Sequence, residues 1–224
     1  MTGLVLWDVD RTLIDTRGVG RELSASAFLQ TTGQPTRQQA RIDDFTEPVI
    51  FRETAKLHGL TTDRTDFERF ARALTAAHLE HAAELRERGH ALPGAAAALN
   101  ALAEAGVRQT VVSGNIRAVA ELKLQLFGLD TPILWELGAY GEDHDVRADL
   151  VRLPLEHAHT TADDAVLIGD TPADIDGAHA NGVRVIAVAT GRSDEASLRD
   201  AGAQVVLPDL RDTDLLVKVV RNGI

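Results

Sequence analysis

The sequence predicts an α/β protein in which a doubly wound parallel sheet carries an inserted all-helical cap domain. Three observations support this prediction. Short apolar runs alternate with helical patterns, one long strand-free stretch interrupts the alternation, and three of the apolar runs end in polar groups. Continuous apolar runs are typical of strands buried on both faces, and their alternation with helices indicates a parallel sheet.

Five apolar runs are predicted as strands: Leu4 to Trp7, Val107 to Val112, Ala165 to Ile168, Val183 to Val188 and Gln204 to Leu207. Helical patterns connect and follow them, at residues 95–105, 116–127, 148–157, 175–180 and 212–220. Strands that alternate with helices in this way favour a single parallel sheet with helices on both faces.

The alternation stops immediately after the first strand. From about residue 16 to residue 90 the chain contains helical segments, Gly20 to Gln30, Pro48 to His58 and Phe67 to Arg88, and no convincing strand. We therefore predict an α/β core of residues 1–15 and 91–224 and a helical cap of residues 16–90, seated over the ends of the strands.

Composition excludes several classes of function. Among 224 residues, 34 are acidic and 23 are basic, and the Lys and Arg residues are scattered, so a nucleic-acid polymer is a poor partner. The lack of cysteine excludes disulfides, thiolate zinc sites and thiol nucleophiles. The first apolar run is too short for a signal peptide or a membrane span, so we expect a cytoplasmic protein without a membrane partner. The oligomeric state is not predicted.

Three of the predicted strands end in polar groups. The first ends in Asp8, the second in Ser113-Gly114-Asn115, and the third in Gly169-Asp170-Thr171-Pro172-Ala173-Asp174. Ligands of open parallel sheets bind outside the carboxyl ends of the strands, so these three segments should converge on one crevice.

The crevice would hold the carboxylates of Asp8, Asp10 and Asp170, with Asp174 close behind. Crowded carboxylates need a cation, and an all-oxygen set of few ligands suits Mg²⁺ better than zinc. One of Asp8 and Asp10 could attack phosphorus while the other transfers protons. Ser113 and the backbone N–H groups of Gly114 and Asn115 could hold the phosphoryl oxygens.

In order and spacing, Asp8-x-Asp10-x-Thr12, Ser113-Gly114-Asn115 and Gly169-Asp170-Thr171-Pro172-Ala173-Asp174 resemble the motifs of haloacid dehalogenase-like hydrolases. The match spans the whole chain, and the helical insertion is similar to that of the phosphoglycolate phosphatase-like branch. The resemblance implies a Rossmann-like core and a Mg²⁺-dependent phosphohydrolase acting on a small phosphorylated metabolite. Members that cleave carbon–halogen bonds generally lack the second aspartate, so Asp10 favours the phosphate-processing branch.

The resemblance also implies a role for each motif residue. Asp8 would be the nucleophile and Asp10 the general acid and base. Thr12 would support their loop. It would also belong to the phosphate-binding residues, together with the segment Ser113-Gly114-Asn115. The metal ligands would be the Asp8 side chain, the Asp10 backbone carbonyl and the Asp170 side chain, with Asp174 orienting a metal-bound water or the loop.

The family also places a cation before the final acidic strand, to stabilise the nucleophile and the phosphate. Arg147 is the predicted residue, and Arg152 and Lys123 are its rivals. Arg11 departs from the pattern of the family, because many members have glycine at that position. It has no predicted role.

Several alternatives stay open. Each motif taken singly is more often a turn or a helix cap than a catalytic group. His78 and His81 lie at helical spacing in a Glu-rich segment and are expected on a solvated face. A sugar phosphomutase would share every core motif. A phosphonate carbon–carbon lyase would need a cap lysine, for which Lys56 is the one candidate, and a non-catalytic binding protein is less favoured still. Phosphoglycolate, sugar phosphates and nucleotides all remain possible substrates.

Overall fold

The computed structural model describes residues 3–40 and 45–222, so residues 1, 2, 41–44, 223 and 224 of the predicted domains lie outside the described chain. The main sheet has five parallel strands in the order β4-β1-β5-β6-β7. They are β1 Leu4–Trp7, β4 Arg108–Val111, β5 Ala165–Gly169, β6 Arg184–Val188 and β7 Val205–Leu207. A second sheet pairs two short strands, β2 Ile14–Asp15 and β3 His90–Ala91.

The described helices fall into two groups. Four lie between β2 and β3: α1 Val19–Thr32, α2 Glu47–Leu57, α3 Arg64–Glu80 and α4 Ala82–Arg88. The others flank the main sheet: α5 Ala95–Glu104, α6 Arg117–Leu126, α7 Arg147–His157, α8 Pro172–Ala180, α9 Glu195–Asp200 and α10 Thr213–Asn222. A parallel sheet with helices on both faces and an inserted helical segment confirms the predicted fold class.

The hydrophobic core lies on both faces of the main sheet because side chains of a strand alternate between faces. In β1, Val5 and Trp7 belong to one buried cluster, with residues of α5, α6 and α10. Leu4 and Leu6 belong to the opposite cluster, with residues of α7, α8 and α9. All four side chains are fully buried, so β1 is fixed at the centre of the sheet, and with it the segment that follows.

Three of the inserted helices, α1, α2 and α3, contribute to a small hydrophobic core. Phe28, Phe51 and Phe70 meet there, and the rings of Phe51 and Phe70 stack with centroids 4.6 Å apart. Ile116 and Val119, from the start of α6, belong to the same cluster. The inserted segment is therefore packed directly against the helix that follows the second predicted motif.

The inserted helices differ in two details from the prediction. The stretch Phe67 to Arg88 forms two helices instead of one, because the chain leaves helical geometry at His81. The helix α3 begins earlier, at Arg64, because Asp63 caps it and exchanges hydrogen bonds with Asp66 in a capping box.

The strands β2 and β3 were not predicted, because two residues are too few to show a periodic pattern. Ile14 pairs with Ala91 and Asp15 with His90, so the antiparallel pair joins the two points at which the inserted segment leaves and re-enters the core. Over residues 3–40 and 45–222, none of the helices combines the length and the apolar character needed to cross a bilayer.

Gly94 begins the return to the core and has a left-handed backbone conformation, with φ of 86°. A Cβ at this position would overlap the backbone of Leu210 and Arg211. Gly106 is also left-handed, with φ of 76°, but a Cβ there would meet no atom within 4 Å. Alanine substitutions at Gly94 and Gly106 therefore distinguish the cost of backbone strain from the cost of steric overlap.

We expect Gly94→Ala to lower the free energy of unfolding by about 2 kcal/mol or more beyond the loss caused by Gly106→Ala. Of these two glycines, Gly94 is the one in close contact with another segment. Gly106→Ala should cost about 1 kcal/mol through strain alone. Urea unfolding of both variants measures the difference, and equal losses would contradict the assigned contact.

Candidate active site

The segment after β1 turns back sharply at Arg11. The Asp8 backbone N–H still donates to Ile168 O at 2.9 Å, so Asp8 continues the sheet register. Arg11 then adopts φ of 68°, and its N–H donates to Ile14 O at 2.6 Å. A positive φ favours glycine, so Arg11 holds a backbone conformation that residues with a Cβ rarely adopt. Thr190 donates its hydroxyl to Arg11 O at 2.6 Å and holds the turn from the other side.

Three carboxylates meet at the ends of β1 and β5. Asp8, Asp170 and Asp174 each direct an oxygen into one cluster, and these atoms lie within 4.8 Å of one another. Asp170 is only 2% exposed. A Cβ on Gly191, in the loop after β6, would overlap the Asp170 carboxylate, so glycine allows this loop to close over the cluster. The predicted convergence of Asp8 and Asp170 is thus present in the structure.

Asp174 also has a structural task. Its carboxylate accepts from the Thr171 N–H and hydroxyl, at 3.2 and 2.8 Å, and its own N–H donates to the Thr171 hydroxyl. Thr171 and Asp174 therefore form a capping box at the start of α8. Helix capping and membership of the carboxylate cluster are combined in one residue.

Arg147 supplies positive charge to the cluster. From the first turn of α7, its Nη2 donates to Asp8 Oδ1 at 3.0 Å and also to Asp174. The rival cation Arg152 lies on the exposed side of α7, where it pairs with Glu156 at 2.5 Å. Of these two arginines, the structure brings Arg147 to the carboxylates and directs Arg152 away from them.

Burial of like charges disfavours full ionisation of the cluster. Burial raises the pKa of Asp8, the charge of Asp174 raises it further, and Arg147 offsets part of the effect. Burial and the neighbouring charges of Asp8 and Asp174 likewise raise the pKa of Asp170. A cation placed among these oxygens would favour their ionised forms.

Asp10 belongs to a separate network. Its carboxylate accepts from Lys123 Nζ at 2.8 and 2.9 Å and from the Asn115 amide at 2.6 Å. Lys123 is 5% exposed and also donates to Asn115 Oδ1 at 2.7 Å. Burial opposes ionisation of Asp10, but the Lys123 ammonium and these hydrogen bonds outweigh it and hold the Asp10 pKa below its ordinary value.

The predicted phosphate-binding residues fall into two groups, those that line the cavity and one that does not. Ser113, Gly114 and Asn115 all line the cavity above the carboxylates, and the Asn115 amide donates to Ser113 Oγ at 2.8 Å. Thr12 is fully buried and does not line that cavity. Its hydroxyl lies 3.0 Å from Asp8 Oδ2 and 3.2 Å from Asp170 Oδ1.

The cavity has a volume of about 470 Å³ and is lined by residues of the core and of the inserted helices. Two of the latter, Glu47 at the start of α2 and His78 on α3, were not predicted as site residues. The expectation that His78 lies on a solvated face was wrong, because that face of α3 packs over the cavity and leaves the side chain 2% exposed. His81 is exposed, as expected.

Glu47 is a buried acid with an altered proton affinity. Burial raises its pKa to about 7, the Lys123 charge opposes the shift, and the charges of Asp10 and Glu142 add to it. Its backbone N–H donates to Gly114 O at 2.9 Å, so the first residue of α2 is tied to the loop of the second motif.

We expect Glu47→Gln to stabilise the protein increasingly as the pH rises from 5 to 8. Between the ordinary glutamate pKa of 4.5 and the raised pKa of about 7, the folded chain keeps a proton that the unfolded chain has lost, so wild-type stability falls with rising pH. Removing this proton linkage should gain about 2 kcal/mol at pH 8 relative to pH 5. Urea unfolding at several pH values measures it.

Glu53→Gln is the matched control on the same helix, because the Glu53 side chain is partly exposed and its pKa is lowered by Lys56. This variant should show no gain in stability with rising pH. A gain of equal size in both variants would contradict the raised pKa assigned to Glu47.

Comparison with known proteins agrees with this architecture. Residues 5–179 match the family described as haloacid dehalogenase-like hydrolase, and residues 147–213 match a second, HAD-hydrolase-like description. Phosphoglycolate phosphatase of Rhodospirillum rubrum is 34% identical over 119 residues, a match that covers 52% of this chain and 48% of that protein. The chain thus spans about half the length of the curated relative that it matches.

Solved structures show the same fold at low sequence identity. A hydrolase from Pseudomonas syringae superposes with a TM-score of 0.70 and 20% identity, over 95% of each chain. A protein from Bacteroides vulgatus, named provisionally as a β-phosphoglucomutase, superposes with a TM-score of 0.70 and 16% identity, over 99% of this chain and 90% of that one. Together with the family match over most of its length, this confirms the resemblance: the chain belongs to the haloacid dehalogenase-like hydrolase family.

Proposed function

We propose that this protein is a Mg²⁺-dependent phosphatase that hydrolyses a small phosphomonoester through an aspartyl-phosphate on Asp8. The observation that carries the proposal is the position of the Asp8 carboxylate. It lies on the wall of a cavity lined by the core and the inserted helices, against Arg147 and two further carboxylates, and Asp10 is two residues away in a separate network. One acid is thus available for attack and another for proton transfer.

The carboxylate cluster fits a divalent metal ion. Asp8, Asp170 and Asp174 offer three oxygens within 4.8 Å of one another, and hard oxygen ligands with room for water are what Mg²⁺ prefers. The Asp10 backbone carbonyl completes the proposed ligand set. When bound, Mg²⁺ would neutralise negative charge on the carboxylates and on the phosphoryl group.

In the proposed first step, an Asp8 oxygen attacks phosphorus, the ester P–O bond breaks, and the leaving oxygen takes a proton from Asp10. In the second step water attacks the same phosphorus, Asp10 takes a proton from that water, and Asp8 is released with inorganic phosphate. Lys123 keeps Asp10 ionised, so the arrangement in the structure suits the second step. Before the first step Asp10 must receive a proton and loosen its contact with Lys123.

The phosphoryl oxygens would be held by Arg147, by Ser113 and by the backbone N–H group of Gly114, whereas the Asn115 N–H donates to Ser113 Oγ at 3.2 Å and would orient that hydroxyl. Preorganised donors of this kind stabilise the charge that develops during transfer. Thr12 is better suited to support than to phosphate contact, because its hydroxyl is used between Asp8 and Asp170. We therefore assign Thr12 to the orientation of the nucleophile.

We further propose that residues 1–15 and 91–224 act as the catalytic core and residues 16–90 as a cap. The β2–β3 pair lies at the boundary between them, and residues from both parts line the cavity. A cap in this position would exclude bulk water during transfer and contact the leaving group.

The central test is Mg²⁺-dependent release of inorganic phosphate from p-nitrophenyl phosphate and from a panel of phosphorylated metabolites. We expect Asp8→Asn and Asp10→Asn each to reduce turnover by about 1,000-fold or more, because each removes a group that takes part in bond making or proton transfer. Asp176→Asn is the matched control, since Asp176 is exposed on the same helix as Asp174.

Turnover that survives in Asp8→Asn, or that needs no divalent ion, would overturn the proposed mechanism. Transfer of the phosphoryl group to a second hydroxyl, without release of inorganic phosphate, would instead identify a phosphomutase.

A second test concerns the cation. We expect Arg147→Ala to lower kcat/KM by about 10- to 100-fold, because hydrogen bonds to charged groups in a buried site are strong. Arg152→Ala, on the same helix but paired with Glu156 at the surface, should stay within about twofold of wild type. If Arg147→Ala retained wild-type kinetics while Lys123→Ala did not, the assignment of Arg147 would be wrong.

A further inference from the structure

The cap side of the cavity contains a concentration of unsatisfied polar atoms. Among the residues that the structure describes, four buried side-chain polar atoms have no hydrogen-bond partner. Three of them, Thr46 Oγ1, Glu47 Oε2 and His78 Nε2, belong to residues that line this cavity. Buried polar groups are nearly always hydrogen-bonded in folded proteins, so three such atoms on one wall indicate a surface that binds a ligand.

His78 Nε2 is a hydrogen-bond acceptor. The other ring nitrogen, Nδ1, lies 2.9 Å from the Leu74 carbonyl oxygen, which can only accept, so Nδ1 carries the proton. Burial and, second to it, the Lys123 charge lower the His78 pKa to about 4, so the ring is neutral near pH 7. A neutral ring with its proton on Nδ1 leaves a free lone pair on Nε2.

Above its pKa of about 7, the ionised Glu47 carboxylate supplies a second acceptor. Its Oε2 has no partner, and its backbone is fixed by the hydrogen bond from its N–H to Gly114 O. It therefore stands next to the loop proposed to hold the phosphoryl group. A group bound by Glu47 would belong to the part of the substrate nearest the ester.

The charges around these acceptors restrict the ligand further. A carboxylate on the leaving group would face the buried carboxyl group of Glu47. An ammonium would face Lys123, whose charge acts on both Glu47 and His78 and whose three N–H bonds are used by Asp10 and Asn115. A neutral donor avoids both conflicts, and a hydroxyl group is the donor that phosphomonoesters commonly carry.

We propose that this cap wall selects phosphomonoesters whose leaving alcohol carries further neutral hydroxyl groups, which donate to Glu47 Oε2 and to His78 Nε2. The substrate class is then a polyol or sugar phosphate, not a phosphorylated hydroxy acid. This inference rests on the proposed phosphatase function. Arg11, Arg17, Arg21 and Arg192 also line the cavity, and they are the cations that a hydroxy-acid substrate would use instead.

The wild-type protein with Mg²⁺ provides the first test. Glycerol 3-phosphate, erythritol 4-phosphate and glucose 6-phosphate are compared with n-propyl phosphate, 2-phosphoglycolate and O-phosphoethanolamine. We expect kcat/KM for the best hydroxylated ester to exceed each of the other three by about 10-fold or more, because an unmet hydrogen bond at a buried site is costly. A value for n-propyl phosphate within about twofold, or a preference for 2-phosphoglycolate or O-phosphoethanolamine, would overturn the inference.

Two variants remove the acceptors. Glu47→Met and His78→Phe should each reduce the ratio of kcat/KM between the best hydroxylated ester and n-propyl phosphate to below about threefold. The matched controls are Glu53→Met on α2 and His81→Phe at the end of α3, both at exposed positions away from the cavity, and they should keep the wild-type ratio. A wild-type ratio in folded Glu47→Met and His78→Phe would contradict the proposal.

Circular dichroism and thermal unfolding establish whether each variant is folded. If His78→Phe is not folded, the ratio measured for Glu47→Met tests the proposal. The outcomes also separate this inference from the function on which it rests. Failure to release phosphate from any ester, p-nitrophenyl phosphate included, would remove the phosphatase proposal. Release of phosphate without preference for hydroxylated esters would remove the inference alone.

Discussion

The mutual repulsion of Asp8, Asp170 and Asp174 is the constraint on which the site depends. The parallel order of β1 and β5 forces the carboxyl ends of these strands to the same edge, so the acids that follow them must meet. Their burial would be unfavourable without positive charge nearby. Arg147 supplies part of that charge from α7, and the remaining deficit is what makes the cluster suited to a metal ion.

A second feature of the site is the separation of two acids that lie two residues apart in the sequence. Asp8 is held by Arg147 and Thr12, and its pKa is raised, chiefly by burial. Asp10 is held by Lys123 and Asn115, and its pKa is lowered. Two carboxyl groups in one cavity whose pKa values are shifted in opposite directions can perform different tasks. Their surroundings, and not the residue type, distinguish them.

Sequence patterns could predict the strands and the endings at Asp8 and Asp170, because a buried parallel strand is a continuous apolar run and its end is a change of polarity. They could not predict the pairing of Lys123 with Asp10, which depends on how α6 is rotated against the sheet. His78 was missed for a related reason. Helical spacing identifies the residues that share a face, but not which face another part of the chain covers.

Lys123 connects the two parts of the cavity. It binds Asp10 directly, and its charge acts on Glu47 and His78 on the opposite wall. The inserted helices are in turn packed on α6, the helix that carries Lys123, through a cluster shared with Ile116 and Val119. A movement of the inserted helices relative to α6 would therefore change the surroundings of Asp10 and of the Glu47 and His78 side chains together. If Asp10 transfers protons and Glu47 and His78 contact the leaving group, as proposed, selection of the leaving group and readiness for catalysis are coupled through Lys123.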